Sequence, residues 1–352
     1  MPDDFDYSKP VSRNAASADS VPFLTMAVIA LCVLFTAISM VAPTDNPGNP
    51  FYKVVHVIQF SPDQIWDGHY IGLFTALFIH VNLVHLMFNM FWTWQMGSTL
   101  ELSIPRWKYA LFLVSATMIS TCCELAITGR MGTGASGAGY ALMGVLWGGR
   151  GYHESWRRLA TRENLNLFLV WGVLCIFLTA TNIMPVANGA HFGGLLFGLA
   201  IGNLFFAPRR KSVWISALVF LGAVCVVALT WLPWNSSWNW YKGLQADSRH
   251  RYRDAIAYYE RSLREGGQRS GLLNNIALCW YSIGTEEGLR HHNDAAAAAY
   301  EKGTQIMAAS KGEAPPSNAS EDAADDKNDE TQDGAKQPPT PIFQHPKSKK
   351  GQ

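Results

Sequence analysis

Between Phe23 and Leu232 the chain is made of apolar runs too long and too continuous for a protein in water. A bilayer has a hydrocarbon core of about 30 Å, which about 20 apolar helical residues cross. Inside it every backbone N–H and C=O must bond within the protein, so an open chain can cross only as helices. The first run is 23–42, and others follow at 83–100, 107–128, 134–150, 165–183, 188–206 and 213–232. The predicted fold class is therefore all-α, a polytopic membrane helix bundle. The runs make seven spans, 213–232 being the seventh, and a small soluble helical domain follows. The first run stands behind a long segment with few basic residues, which favours a retained anchor over a cleaved signal.

Charge sets the orientation of these spans, because cytoplasmic loops carry the excess of Lys and Arg. Lys9 and Arg13, Arg106 and Lys108, Arg150, Arg157, Arg158 and Arg162, and then Arg209, Arg210 and Lys211 fall on one side. The alternate loops offer Lys53 and Arg130. This predicts a cytoplasmic N-terminus and an outer location for everything after Trp231. The expected setting is a bacterial inner (cell) membrane.

The polar parts are 1–22 and the region beyond 235. The loop from Pro43 to Thr75 has apolar patches (Phe51-Tyr52, Val54-Val55, Ile58-Gln59-Phe60) suited to a membrane interface. Residues 239–309 read as helical, and Tyr252 to Leu263 resembles the second helix of a tetratricopeptide repeat. A related pattern returns at Ala296, Tyr300 and Gly303, and Leu272 to Trp280 supplies a first helix between them. Matching the usual period requires an insertion of about seven residues around 286–293. From 311 to 352 the chain is rich in Pro, Ser, Asp and Lys and reads as a disordered tail. Five of the six cysteines lie in apolar runs, a pattern of membrane packing and not of a disulfide framework or a metal site. A net charge of +1 with no basic aromatic patch gives no signal for nucleic acid.

Two Gly-rich apolar stretches carry the candidate chemistry. Gly134-Ala135-Ser136-Gly137 opens one span, and Ala190-His191-Phe192-Gly193-Gly194, followed by Gly198, opens another. A serine hydroxyl becomes a nucleophile when a base takes its proton, and histidine titrates near neutrality. The orientation puts Ser136 and His191 at similar depth near the outer face. Tyr140 lies one helical turn after Ser136 and shares its face, where it can orient the imidazole. His85 and Asn89 are likewise four apart, candidates to stabilise an oxyanion. Each residue also has a plainer explanation. A serine in a membrane helix usually bonds to a backbone carbonyl. Glycines usually serve packing, and His80 can sit at the interface. Polar groups such as His85 and Asn89 inside spans are costly and tend to be functional.

Together the ordered set His80, His85 and Asn89, then Gly134, Ser136 and Gly137, then His191, Gly194 and Gly198 resembles the rhomboid family of intramembrane serine proteases. The resemblance covers residues 60–206. It implies that Ser136 is the nucleophile and His191 the general base. It implies an oxyanion hole from His85, Asn89 and the Ser136 N–H, with Tyr140 stacked on His191. His80, Gly134, Gly137, Gly194 and Gly198 support them. The family's fold is a six-span core with a water-filled cavity open to the outside. Many relatives carry a Trp-Arg pair in the first loop, where this chain has Trp66-Asp67-Gly68, which puts the packing of that loop in question.

The expected activity is serine endopeptidase cleavage of single-span membrane protein substrates near the outer face, without metal or cofactor. The expected surroundings are the lipid bilayer, with a face for a protein partner on the tetratricopeptide-like region. One rival is an inactive relative that binds membrane clients, but such proteins typically lack the serine or the histidine. The other is a transporter relaying protons through His80, His85 and His191, which predicts internal repeats that the spans do not show.

Overall fold

The computed structural model describes residues 21–41, 58–206 and 210–312. The N-terminal segment up to 20, the loop patches at Phe51-Tyr52 and Val54-Val55, and the tail from 313 lie outside the described residues. So do Lys9, Arg13, Lys53 and Arg209.

The described chain is a helix bundle followed by a helical array. The bundle comprises α1 (Phe23–Val41), α2 (Leu83–Trp92), α3 (Arg106–Thr128), α4 (Ser136–Gly148), α5 (Arg162–Ala180), α6 (Asn188–Ile201) and α7 (Lys211–Thr230). A π-helical turn, Thr93–Gly97, and a last turn, Ser98–Glu101, prolong α2. Its polarity is inverted relative to a protein in water. Val170, Val173 and Phe177 on α5 and Val213, Val219, Phe220 and Val226 on α7 are exposed. Thr25, Thr36, His80, Asn89, Glu101, Ser120, Glu124 and His191 are buried. Exposed aliphatic side chains on this scale need lipid around them.

The expected runs all become helices near their predicted limits. Five helices among the described residues, α1, α3, α5, α6 with its π-helical extension to Phe206, and α7, are long and apolar enough to cross a bilayer. The stretch continuing α2 to Glu101 joins Gly72–Phe78 at a bend of 100°, so these form one broken span or a re-entrant element. The run read as a span at 134–150 is α4, only 13 residues long. At 1.5 Å per residue it rises about 20 Å, short of the hydrocarbon core. Its apolar residues serve protein packing, since Gly137 through Leu146 are all buried. Ser136 therefore starts a helix inside the bundle.

Two contacts fix the frame. The Glu101 carboxylate accepts from the N–H groups of Leu24 (2.9 Å) and Thr25 (2.8 Å) and from the Thr25 hydroxyl (2.8 Å). It thereby satisfies first-turn donors of α1 that have no intrahelical acceptor. The second contact is between α4 and α6, the most extensively packed pair of the bundle. Gly194, Gly198 and Gly202 on α6 lie against the carbonyls of Gly137, Ala141 and Val145 on α4. A Cβ at Gly202 would sit 2.6 Å from the Val145 oxygen. Small residues every fourth position let two backbones touch, and this seam holds the helices side by side in parallel.

After α7 come α8 (Ser236–Asp247), α9 (Tyr252–Arg264), α10 (Arg269–Leu289) and α11 (Asn293–Lys311), each packed on the next. Half of the expected insertion at 286–293 prolongs α10 to Leu289, and α11 starts at Asn293. A small–aromatic contact recurs at equal sequence intervals. Tyr259 packs on Gly243, and Tyr300 on Gly284 with its ring 3.1 Å from a Cβ placed there. The Asn235-Ser236-Ser237 sequon is buried at Asn235, whose Oδ1 caps α8 by accepting from the N–H groups of Ser237 and Trp238.

Candidate active site

The approach to Ser136 is held by three elements. Gly134 adopts φ +100°, a conformation that favours glycine, and a Cβ there would lie 2.7 Å from Cε1 of His85. The Gly134 N–H donates to the Ala76 carbonyl at 2.9 Å. The next N–H, of Ala135, donates to Nε2 of His80 at 3.2 Å. Since Nε2 accepts, the proton of a neutral His80 lies on Nδ1, which faces the Thr36 hydroxyl at 3.3 Å. The His80 N–H donates to the same hydroxyl at 3.1 Å, and that hydroxyl donates to the Phe78 carbonyl. His80, only 2% exposed, thus ties the residue before Ser136 to α1.

Ser136 is the first residue of α4, and its Oγ lies 2.9 Å from Nε2 of His191 in the first turn of α6. Tyr140 stacks on the imidazole, with ring centroids 4.5 Å apart and planes 13° from parallel. The Tyr140 hydroxyl donates to the Phe168 carbonyl on α5 at 2.8 Å, which fixes the plane of the stack. Nδ1 of His191 is buried and meets no hydrogen-bond partner among the described residues. Among the described residues no acid bonds the far side of this histidine, and the Tyr140 ring stacks on its face.

His85 and Asn89 occupy successive turns of α2, which starts where the Asn82 side chain accepts from the His85 N–H at 2.8 Å. The His85 ring is 5.1 Å from that of His80 and lies over Gly134. Asn89 is buried, and its Nδ2 has no hydrogen-bond partner. A buried amide donor without an acceptor is costly. The Ser136 N–H belongs to the first turn of α4, where N–H groups have no intrahelical acceptor. Gly137 abuts Ser120 and Ala190, and Gly194 and Gly198 form the seam with α4. Each proposed residue is thus located, and Ser136 and Tyr140 each contact His191.

Sequence reasoning passed over Glu124. This carboxylate on α3 is buried, and its Oε2 accepts from the Gly189 N–H, in the first turn of α6, at 2.9 Å. Its Oε1 accepts from the Thr128 hydroxyl at 2.9 Å. The carboxyl oxygen satisfies a first-turn N–H of α6 and anchors the turn that presents His191. A Glu inside an apolar run was the available signal. Thr36 gave no comparable signal, since threonine in a membrane helix commonly bonds its own backbone.

The same region has relatives. Residues 64–208 match the family model of the Rhomboid domain. Among curated proteins, the rhomboid protease GlpG of Salmonella paratyphi A is 29% identical over 194 residues, 54% of this chain and 65% of that protein. The rhomboid protease GlpG of Salmonella newport is 34% identical over 139 residues, 39% of this chain and 49% of that protein. The chain therefore spans about half to two thirds of the length of these relatives. The matched stretch runs from the loop helix Pro62–Trp66 past the end of α6 and holds Ser136, His191, His85, Asn89 and Tyr140. It ends before α7 and the array.

Proposed function

We propose that this protein is an intramembrane serine endopeptidase acting through a Ser136–His191 dyad. The observation that carries the reading is the 2.9 Å contact between the Ser136 hydroxyl and Nε2 of His191 under the Tyr140 ring. In this mechanism His191, neutral with its proton on Nδ1, takes the Ser136 proton on Nε2 as Oγ attacks a scissile carbonyl carbon. The resulting oxyanion accepts hydrogen bonds from the Ser136 N–H, from Nδ2 of Asn89 and from His85. His191 then gives the proton to the leaving amine nitrogen, the C–N bond breaks, and an acyl-Ser136 ester remains. Water, deprotonated by His191, attacks the ester carbonyl, and the returning proton regenerates the Ser136 hydroxyl. The chemistry needs no cofactor. Tyr140 keeps the imidazole plane fixed while it carries charge, the task an acid performs in a triad.

The site faces the outer side in this reading. Arg106, Lys108, Arg150, Arg157, Arg158, Arg162, Arg210 and Lys211 fall at or between the opposite helix ends, and among the described loops of the bundle Arg130 lies near the Ser136 ends. Substrates are single-span membrane proteins cut near that outer face, and the array lies beside the site's mouth. The repeated Gly–Tyr contacts support its reading as two tetratricopeptide-like units offering a face to a protein partner.

A fluorophosphonate probe tests the enzyme. It is expected to label the wild-type protein at Ser136 and to leave Ser136→Ala and His191→Ala unlabelled. Labelling of His191→Ala at the wild-type rate would remove the dyad. Alkaline phosphatase fused after Gly243 is expected to be active and after Arg158 inactive. The reverse pattern would refute the outer-face assignment.

A further inference from the structure

The loop that lacks the family's Trp-Arg pair is packed here by the C-terminal array. Trp66 closes the loop helix Pro62–Trp66, and its ring meets those of Trp238 (5.0 Å, edge-on) and Tyr241 (5.3 Å) on α8. The Tyr241 hydroxyl donates to Oδ1 of Asp67 at 2.7 Å and accepts from Nε2 of Gln245 at 2.5 Å. Burial, with the Asp67 carboxylate beside it, pushes the Tyr241 pKa up, so the hydroxyl stays the donor throughout the neutral range. Nε1 of Trp66 donates to the Ala228 carbonyl on α7 at 2.9 Å. The Asn235 side chain lies against Gly129 at the end of α3, with no room for a Cβ. The start of the array is thus clamped to the loop, to α7 and to α3.

The loop in turn holds the approach to Ser136. Gly72 lies so close to the loop helix that a Cβ would come 2.7 Å from Cδ1 of Ile65. From Gly72 the chain runs helically through Phe78, presenting the Ala76 carbonyl to the Gly134 N–H and then Nε2 of His80 to the Ala135 N–H. Those two bonds fix the peptides that precede the nucleophile. Hydrogen-bonded and packed contacts therefore lead from α8 through the loop to the residue before Ser136.

We infer that Tyr241, with Trp238, is a positioning element of the catalytic site, acting through Asp67 and the loop on the Gly134–Ala135 turn. This rests on the proteolytic reading above. The array is then part of the catalytic fold as well as a surface beside it. A chain of packed and hydrogen-bonded groups typically couples two sites by about two- to thirty-fold.

The test compares full-length wild type with Tyr241→Phe, Asp67→Ala and Asp67→Asn in bilayer vesicles, reading hydrogen–deuterium exchange of the Gly134 and Ala135 amides, fluorophosphonate labelling, kcat and KM. Tyr241→Phe and Asp67→Ala are expected to speed exchange at both amides. They are also expected to lower kcat and labelling about two- to thirty-fold at unchanged KM. Asp67→Asn keeps the acceptor oxygen and is expected to behave as wild type. Unchanged exchange in Tyr241→Phe, an effect on KM alone, or equal damage from Asp67→Asn and Asp67→Ala would overturn the inference. A wild-type protein that neither cleaves nor labels would defeat the proteolytic reading instead, and exchange alone would then decide the clamp. Should Tyr241→Phe fail to assemble, Trp238→Phe carries the same comparison.

Discussion

Gly144→Ala tests how tightly the catalytic geometry depends on the seam between α4 and α6. A Cβ built on Gly144 would lie 2.5 Å from the Leu195 carbonyl oxygen and 2.8 Å from the Leu199 nitrogen, both backbone atoms of α6. Ordinary contact requires about 3.5 Å, so the helices must part there by roughly 1 Å. Backbone cannot rotate away as a side chain does, and forcing a methyl into a packed core costs about 1–3 kcal/mol. Ser136 and His191 stand at the same end of these two helices, 2.9 Å apart. Opening that distance by a comparable amount takes it beyond hydrogen-bond range, since bonds of this type fall near 2.7–3.2 Å. A displacement of about 1 Å can cost on the order of a hundredfold in rate. Gly139→Ala on the same helix is the control, because nothing lies within 4 Å of its Cβ position. The assay is the second-order rate of fluorophosphonate labelling, read beside reversible unfolding in detergent. Gly144→Ala is expected to label on the order of a hundredfold slower and Gly139→Ala at the wild-type rate. Normal labelling of a folded Gly144→Ala protein would refute the argument that the seam sets the dyad.

The site itself yields further expectations. The Ser136→Ala/His191→Ala double variant should be no slower than either single one, because the two groups act as one unit. Asn89→Ala should keep residual cleavage, about 10²- to 10³-fold down in kcat, as expected for one oxyanion donor. Glu124→Gln retains an acceptor for the Gly189 N–H and should cost less stability than Glu124→Leu, which strands that donor in the first turn of α6 at about 1–3 kcal/mol; detergent unfolding midpoints compare them. Truncation after Asp247 keeps Trp238 and Tyr241. It should slow cleavage of a full-length membrane substrate and spare a short peptide holding only the cleaved segment. No loss on either would remove the recruiting role of the array, and equal loss on both would mean that the truncation damages the fold.

The sequence alone determined where the membrane helices run, because burying apolar surface in lipid requires length and composition that a linear pattern displays. Charge asymmetry predicts an orientation, and the order of Ser136, His191, His85 and Asn89 on separate runs proposes a candidate constellation. Tertiary structure decided what depends on distance between remote residues. The run at 134–150 looks like a span because buried and lipid-facing positions are equally apolar. Only its place inside the bundle shows α4 as a short helix packed by protein. The role of Glu124 depends on the Gly189 N–H, 65 positions away, and that of His80 on the Ala135 N–H, 55 positions away. The clamp from Trp66 and Asp67 to Trp238 and Tyr241 has no sequence period at all, since a hydrogen bond 174 residues apart leaves no local pattern. Its partners are set by where α7 returns the chain to the C-terminal end of α3 and to the loop helix.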